Sequence, residues 1–65
     1  MMTNKDYNLI AACLGASYKH HVDNLVATAA INDVKRRLTL EFSLENPNFD
    51  NIKFKDRIQY WFDKH

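Results

Sequence analysis

Apolar side chains of the first segment recur with the spacing of an α-helix, at Tyr7, Ile10, Ala11 and Leu14. Thr3 and Asp6 precede this stripe as a Ser/Thr-x-x-Asp pattern, in which the Thr3 hydroxyl accepts from free amides at a helix start. Gly15 follows the last apolar position and is typical of a helix end. We therefore predict a helix over about residues 4–14.

The middle of the chain has the composition of a long helix. Residues 15–21 lack a hydrophobic period and form the predicted connection, in which Ser17 can cap the next helix. From residue 22 to residue 45 there is neither Gly nor Pro, and good helix formers are common. We therefore predict a second helix over about residues 22–45.

The apolar face of this second helix shifts by about 100° or more along its length. The first set is Val22, Leu25, Val26 and Ala29, and the second is Ile31, Val34, Leu38 and Phe42. One interpretation is a kink or restart near residues 31–33, because Asn32 and Asp33 are good N-caps. In the other, the helix is continuous. Its C-terminal half then packs on the other helices and its N-terminal half on a second molecule, which predicts a homodimer.

A helix stop and a new helix start follow each other closely. Asn46 and Pro47 end the middle helix, because proline donates no amide and restricts the residue before it. Asp50 is the predicted N-cap of the next helix, and Phe49 and Phe54 have the spacing of a hydrophobic staple. Apolar residues at helical spacing predict a third helix over about residues 51–63: Phe54, Ile58, Trp61 and Phe62.

Together these elements predict an all-α fold, a small three-helix bundle in up-down-up order with residues 1–65 as a single domain. A core from so short a chain rarely supplies more than about 3–5 kcal/mol of stability. Cys13 is the only cysteine, so no internal disulfide can add to this stability. Metal binding or self-association is therefore favoured as an additional source of stability. The sequence contains neither an apolar run long enough to span a bilayer nor a secretory signal. We therefore predict a cytoplasmic protein that does not bind a membrane.

Two short motifs stand out, residues 7–14 (YNLIAACL) and the turn Asn46-Pro47-Asn48-Phe49-Asp50 followed by Phe54. They resemble a group of small uncharacterised proteins of bacteriophages, prophages and plasmids, which pair a Y-x-L-I-A-x-x-L helix with an N-P-x-F-D-x-x-x-F turn and helix. The tail departs from the group, whose members usually end in small residues. The resemblance implies a mobile-element accessory protein and brings no catalytic residues. All matched positions also have structural interpretations as core, helix stop, cap or staple.

Residues with metal-ligand or nucleophilic chemistry form no recognisable site in the sequence. The candidate ligands have no Cys-x-x-Cys or His-x-x-x-His pair among them: Cys13, His20, His21, Asp23 and His65. The candidate nucleophiles Ser17, Ser43 and Cys13 lack a glycine elbow and an oriented base. We therefore predict no enzyme activity, no metal and no cofactor. Cys13 is predicted to be a small buried residue.

A basic run, Lys35, Arg36 and Arg37, is the strongest argument for nucleic-acid binding. Acidic residues alternate with the basic ones along the chain, and Arg37 has the i,i+4 spacing of a solvated ion pair with Glu41. The net charge of +1 and the isoelectric point near 7.9 are far from the strongly basic balance of a nucleic-acid-binding domain. A small DNA-binding regulator that uses this run is therefore the alternative function.

The aromatic residues of the third predicted helix favour protein binding instead. This helix carries more bulky apolar surface than a small monomer easily covers, and large aromatics are typical of binding hot spots. The other interpretation is that Trp61 and Phe62 close the core or a dimer interface. With the resemblance, we predict a stoichiometric binder of a host or phage protein, one role being inhibition of a host defence or regulatory factor. The candidate binding residues are Ile58, Tyr60, Trp61, Lys35, Arg36 and Arg37.

Overall fold

A computed structural model describes residues 2–64, which form three α-helices: α1 (Asn4–His20), α2 (Leu25–Glu45) and α3 (Asn51–Lys64). The predicted all-α three-helix bundle is confirmed. The first turns of α1 and α3 lie at the same end, since the Tyr7 ring packs on Phe49 with centroids 4.9 Å apart. The last turn of α2 lies there too, because the Phe42 ring is 5.0 Å from that of Tyr7. The helices therefore run up, down and up.

Local side-chain hydrogen bonds begin each helix. The Thr3 hydroxyl accepts from the Asp6 amide at 3.4 Å, and the Asp6 carboxylate accepts from the Thr3 amide at 2.9 Å, which is the predicted capping box. Asp50 Oδ1 accepts from the Lys53 amide at 3.0 Å and caps α3, as predicted. The Asn46 amide donates to the carbonyl of Phe42 at the end of α2, where the sequence places the stop.

The first helix extends six residues beyond its predicted end, because Gly15 is a packing position and not a terminator. Gly15 is buried inside α1 and does not adopt a positive φ. The backbone of α3 passes so close that a Cβ at Gly15 would lie 2.7 Å from the Ile58 carbonyl oxygen. The predicted connection over residues 15–21 is therefore wrong, and Ser17 lies within α1 rather than capping α2.

The second helix is continuous, so the predicted interruption near residues 31–33 is wrong. It begins at Leu25 instead of Val22, and Asn24 Oδ1 caps it by accepting from the Ala27 amide at 3.0 Å. Asn32 and Asp33 do not act as caps because their side chains have other partners. Asn32 accepts from the Tyr18 hydroxyl of α1, and Asp33 accepts from two arginines of its own helix.

The core lies between α1 and α3 and receives the buried Phe42 from α2, whose half-buried Ile31 and Leu38 also pack against it. Its buried apolar residues are Ala11, Leu14, Phe42, Phe54 and Ile58. Tyr7 and Ile10 are half-buried against this cluster, as their spacing predicts. Phe49 and Phe54 have ring centroids 5.6 Å apart, which confirms the staple, and both rings pack on Phe42. The edge-to-face arrangements among these rings are the geometry that aromatic quadrupoles favour.

The opposite side of α2 is left uncovered. Phe42 is the buried residue of this helix, whereas five of its large apolar side chains are exposed: Leu25, Val26, Val34, Leu40 and Leu44. The exposed set includes members of the stripe predicted to meet a second molecule. In one copy of the chain, α2 therefore presents an apolar surface that no other part of residues 2–64 covers.

Candidate protein-binding surface

Two aromatic residues near the end of α3, Tyr60 and Trp61, form a surface together with Lys64. The Tyr60 side chain is 47% exposed, and its ring lies edge-on to that of Trp61 with centroids 5.3 Å apart. Lys64 Nζ lies 5.5 Å from the Tyr60 centroid and 5.3 Å from the Trp61 centroid, within cation–π range of both. The same ammonium donates to the Tyr60 hydroxyl at 3.3 Å. One lysine thus contacts two rings.

A lysine of α1 contacts the third aromatic residue of this turn, Phe62. Because α1 and α3 run parallel, their last turns lie side by side, and Lys19 Nζ is 5.1 Å from the Phe62 centroid. We call Tyr60, Trp61 and Lys64 the aromatic-lysine surface, and the contact of Lys19 with Phe62 is separate from it, because Phe62 lies about 160° from Tyr60 around α3. Sequence analysis did not identify Lys19, since it ended the first helix at Leu14. The available signal was the i,i+4 spacing of Gly15 and Lys19 on one helix face.

Of the candidate residues predicted on α3, Ile58 does not belong to this surface. Its side chain is only 5% exposed and forms part of the core with Phe54. Ile58 faces α1 because the close approach at Gly15 draws this turn of α3 inward. The prediction that Ile58 contacts a partner is therefore wrong. Trp61 is half-buried, with its Cβ beside Gly15, so it contributes both to helix packing and to the aromatic-lysine surface.

The basic run does not form a uniform cationic patch. Lys35 is half-buried, lies over the Tyr18 ring at 5.7 Å and lines a groove of about 450 Å³ with Phe62. Arg37 Nε donates to Asp33 Oδ2 at 2.8 Å, and an Arg36 Nη nitrogen donates to Asp33 Oδ1 at 3.1 Å. Asp33 therefore takes the place predicted for Glu41 as the partner of Arg37. An acid N-terminal to its base also suits the helix dipole better.

The two guanidiniums set the charge state of Asp33. Hydrogen bonds from Arg37 and then Arg36 hold the pKa of the Asp33 carboxyl below its ordinary value. Burial raises the pKa of the neighbouring Tyr18 hydroxyl, which donates to Asn32. Asp33 is consequently a carboxylate at all but strongly acidic pH, and it offsets part of the positive charge that phosphate contacts would require.

The Asp33 ion pairs are expected to stabilise the fold only while this carboxyl is ionised. Since its pKa is lower in the folded state, the contribution is complete above the unfolded pKa and is lost as pH falls through the folded value. Asp33→Asn should slightly lower the thermal midpoint at neutral pH and have no effect in strong acid, as followed by circular dichroism. For a single copy of the chain the effect is small, because both arginines are exposed on its surface. Asp23→Asn, in the turn before α2, is the control, and an equal loss at both pH values would argue against the ion pairs.

The turn between α2 and α3 uses its polar side chains locally. Asn46 Oδ1 accepts from the Asn48 amide at 3.0 Å, and Asp50 caps α3. A groove of about 440 Å³ lies beside the turn, with Tyr7 on one wall and Arg57 on another. The matched motif residues of this turn therefore perform the stop, cap and staple roles that their spacing predicts.

Metal-ligand and nucleophilic side chains are dispersed over the described part of the chain. Within residues 2–64 no three His, Cys, Asp or Glu side chains converge on a common point, and His65 lies outside the described residues. His20 and His21 have ring centroids 4.8 Å apart at the end of α1. Cys13 is exposed, which corrects its predicted burial: it points away from the α1 face that packs on α3. Among these helices none combines the length and apolarity needed to cross a bilayer.

No family model matches the chain, and neither a curated protein nor a solved structure is significantly similar to it. The functional argument therefore depends on the surfaces of the three helices.

Proposed function

We propose that this protein is a non-enzymatic accessory protein of a bacteriophage or another mobile element, which acts by binding a host or phage protein at a fixed stoichiometry. The observation that supports binding is the aromatic-lysine surface, in which the exposed Tyr60 ring lies edge-on to Trp61 and the Lys64 ammonium lies within cation–π range of both rings. The two sequence motifs support the mobile-element origin. Inhibition of a host defence or regulatory factor in the bacterial cytoplasm is the role that this origin favours.

The packing beneath the aromatic-lysine surface supports binding because it limits the motion of the rings. Trp61 is anchored where α3 meets Gly15 of α1, and the Tyr60 ring lies edge-on to it. Aromatic side chains that are already ordered lose little conformational entropy when a partner covers them. The exposed Lys64 beside the rings favours a partner whose contact surface carries Asp or Glu around an apolar centre.

Nucleic-acid binding through the basic run receives less support. Two of its three cationic side chains already bind Asp33, and Lys35 is half-buried over Tyr18. Self-association through α2 belongs to the proposal, because the outer side of this helix exposes large apolar residues.

A tagged pull-down from bacterial lysate, run with and without nuclease, tests the proposed function. We expect one discrete protein near equimolar amounts, unaffected by nuclease, as identified by mass spectrometry. If nuclease abolishes the recovery, the function would instead be DNA binding through the basic run. If only further copies of this chain are recovered, the result would contradict the proposal of a host or phage partner.

Truncation of Tyr60 should weaken partner binding without unfolding the protein. Tyr60→Ala removes an exposed ring and the platform for Lys64, so we expect the affinity for the captured partner to fall about tenfold or more. Isothermal titration calorimetry measures the change. Leu9→Ala is the matched control, since Leu9 is an exposed apolar residue of α1 outside this surface. Equal affinity of Tyr60→Ala and the wild type would remove the surface from the proposal.

A further inference from the structure

The exposed side of α2 carries a stripe with the period of a coiled coil. Its members alternate in steps of four and three residues, which keeps them on one face of the helix: Val26, Ala30, Asp33, Arg37, Leu40 and Leu44. All are exposed except Asp33, whose side chain still keeps 42% of its accessible surface. Leu40 and Leu44 remain 59% and 72% exposed. We call these six residues the outer stripe.

The spacing of the outer stripe is the same in both directions along the helix. Its ends are apolar and its middle holds one acidic and one basic residue, arranged symmetrically about the level of residue 35. In an antiparallel pair of α2 helices centred there, Val26 lies opposite Leu44 of the second copy. Ala30 lies opposite Leu40, which sets a small side chain against a large one in that layer. Asp33 lies opposite Arg37, so opposite charges meet at the centre of the pair.

We propose that two copies of this chain associate antiparallel through the outer stripe of α2, with Asp33 of each copy facing Arg37 of the other. This inference rests on the self-association part of the proposed function and is independent of the host partner. The stripe spans about 27 Å at the helical rise of 1.5 Å per residue, nearly the whole length of α2. The dimer supplies apolar burial that the small core of a single copy lacks.

Charge complementarity identifies the occupant as a second copy and selects the antiparallel direction. A parallel pair in register would set Asp33 against Asp33 and Arg37 against Arg37, which costs energy in a partly desolvated interface. Within one chain Arg37 already donates to Asp33 at 2.8 Å. The antiparallel pair retains this bond and brings a second Arg37 to each carboxylate. Neither polar group is then left unpaired when the apolar layers on both sides exclude water.

Charge-reversed variants test the pairing. Asp33→Arg makes the central layers wholly cationic and Arg37→Asp makes them acidic, so each alone should self-associate at least about tenfold more weakly than the wild type. Mixed together, the two should form a heterodimer, because the two central arginines of one chain then face the two central aspartates of the other. Sedimentation equilibrium over a wide concentration range measures all three samples. Leu9→Glu is the control, since Leu9 is 66% exposed on α1 and lies off the stripe.

Cysteine cross-linking tests the direction of the pair and does not depend on the charge variants folding. In a Cys13→Ser background, Ala30→Cys mixed with Leu40→Cys should oxidise to a mixed dimer. Ala30→Cys alone should not, because its two copies lie about 15 Å apart along the axis, beyond the Cα separation that a disulfide spans. Cross-linking of Ala30→Cys with itself would show a parallel pair and overturn the inference.

The failures of this inference and of the proposed function are distinguishable. A wild type that is monomeric at every concentration overturns self-association and leaves partner binding through the aromatic-lysine surface untouched. A dimer that persists in Asp33→Arg and in Arg37→Asp overturns the outer stripe as the interface, even if self-association is real.

Discussion

Gly15→Ala is expected to destabilise the protein, although alanine is the better helix former. A methyl group at this position would lie 2.7 Å from the Ile58 carbonyl oxygen, 2.7 Å from Trp61 Cβ and 2.9 Å from the Phe62 nitrogen. These atoms belong to the backbone or adjoin it, so α1 and α3 would have to move apart along the core. Overpacking of this kind costs about 1–3 kcal/mol, a large part of the roughly 3–5 kcal/mol that so small a core supplies.

The sign of this effect separates two explanations of Gly15. If the glycine merely interrupted an exposed helix, alanine would stabilise the protein by about 1 kcal/mol. Urea unfolding followed by circular dichroism measures the difference. Ser17→Ala is the matched control, because Ser17 is exposed on the same helix and should gain a few tenths of a kcal/mol, about the difference in helix propensity. A Gly15→Ala protein more stable than the wild type would contradict the close approach of α1 and α3.

Phe42→Ala is expected to have the largest effect of any truncation on α2. The Phe42 ring contacts three others, those of Tyr7, Phe49 and Phe54, and is the buried anchor of this helix. Loss of a buried phenylalanine costs about 3–5 kcal/mol, comparable with the total stability expected of the domain. We therefore expect the variant to be largely unfolded at room temperature, with broad thermal melting and lost side-chain dispersion in NMR spectra.

Leu25→Ala provides the comparison on the same helix. Leu25 is 83% exposed and off the outer stripe, so its truncation should change the unfolding free energy by no more than about 0.5 kcal/mol. Should Phe42→Ala retain a cooperative transition near that of Leu25→Ala, the core would not depend on α2. In that case the pair formed by α1 and α3 would be the stable unit.

The starts of α1 and α3 and the end of α2 were predictable, because each depends on a few neighbouring residues. Thr3 with Asp6 forms the capping box, Asp50 caps α3, and Pro47 ends α2, all within one turn of the positions that the sequence indicates. The staple of Phe49 and Phe54 is equally local. Local hydrogen bonds and φ restrictions act in the same way in any fold, so a pattern of residues suffices to identify them.

The candidate surface was predictable only in part. Tyr60 and Trp61 stand out as aromatics at the end of an amphipathic helix, and the structure places both at the aromatic-lysine surface. Ile58 is a bulky apolar residue of the same helix, but it is buried in the core. Its burial could not be predicted, because helical periodicity alone does not tell which side of a helix faces its neighbour. The contact of Lys19 with Phe62 was missed because it depends on the parallel packing of α1 and α3.

The sequence by itself determined the all-α class, the number of helices, the caps of α1 and α3 and the aromatic core residues, since these follow from hydrogen bonds and periodicity within each segment. Only the tertiary structure decided that Gly15 is a contact point, that Cys13 is exposed and that Asp33 pairs with arginines instead of capping the start of a new helix. A residue such as glycine or aspartate suits both a helix end and a helix interior. The free-energy difference between these roles comes from atoms distant in sequence, which only the packed structure brings near.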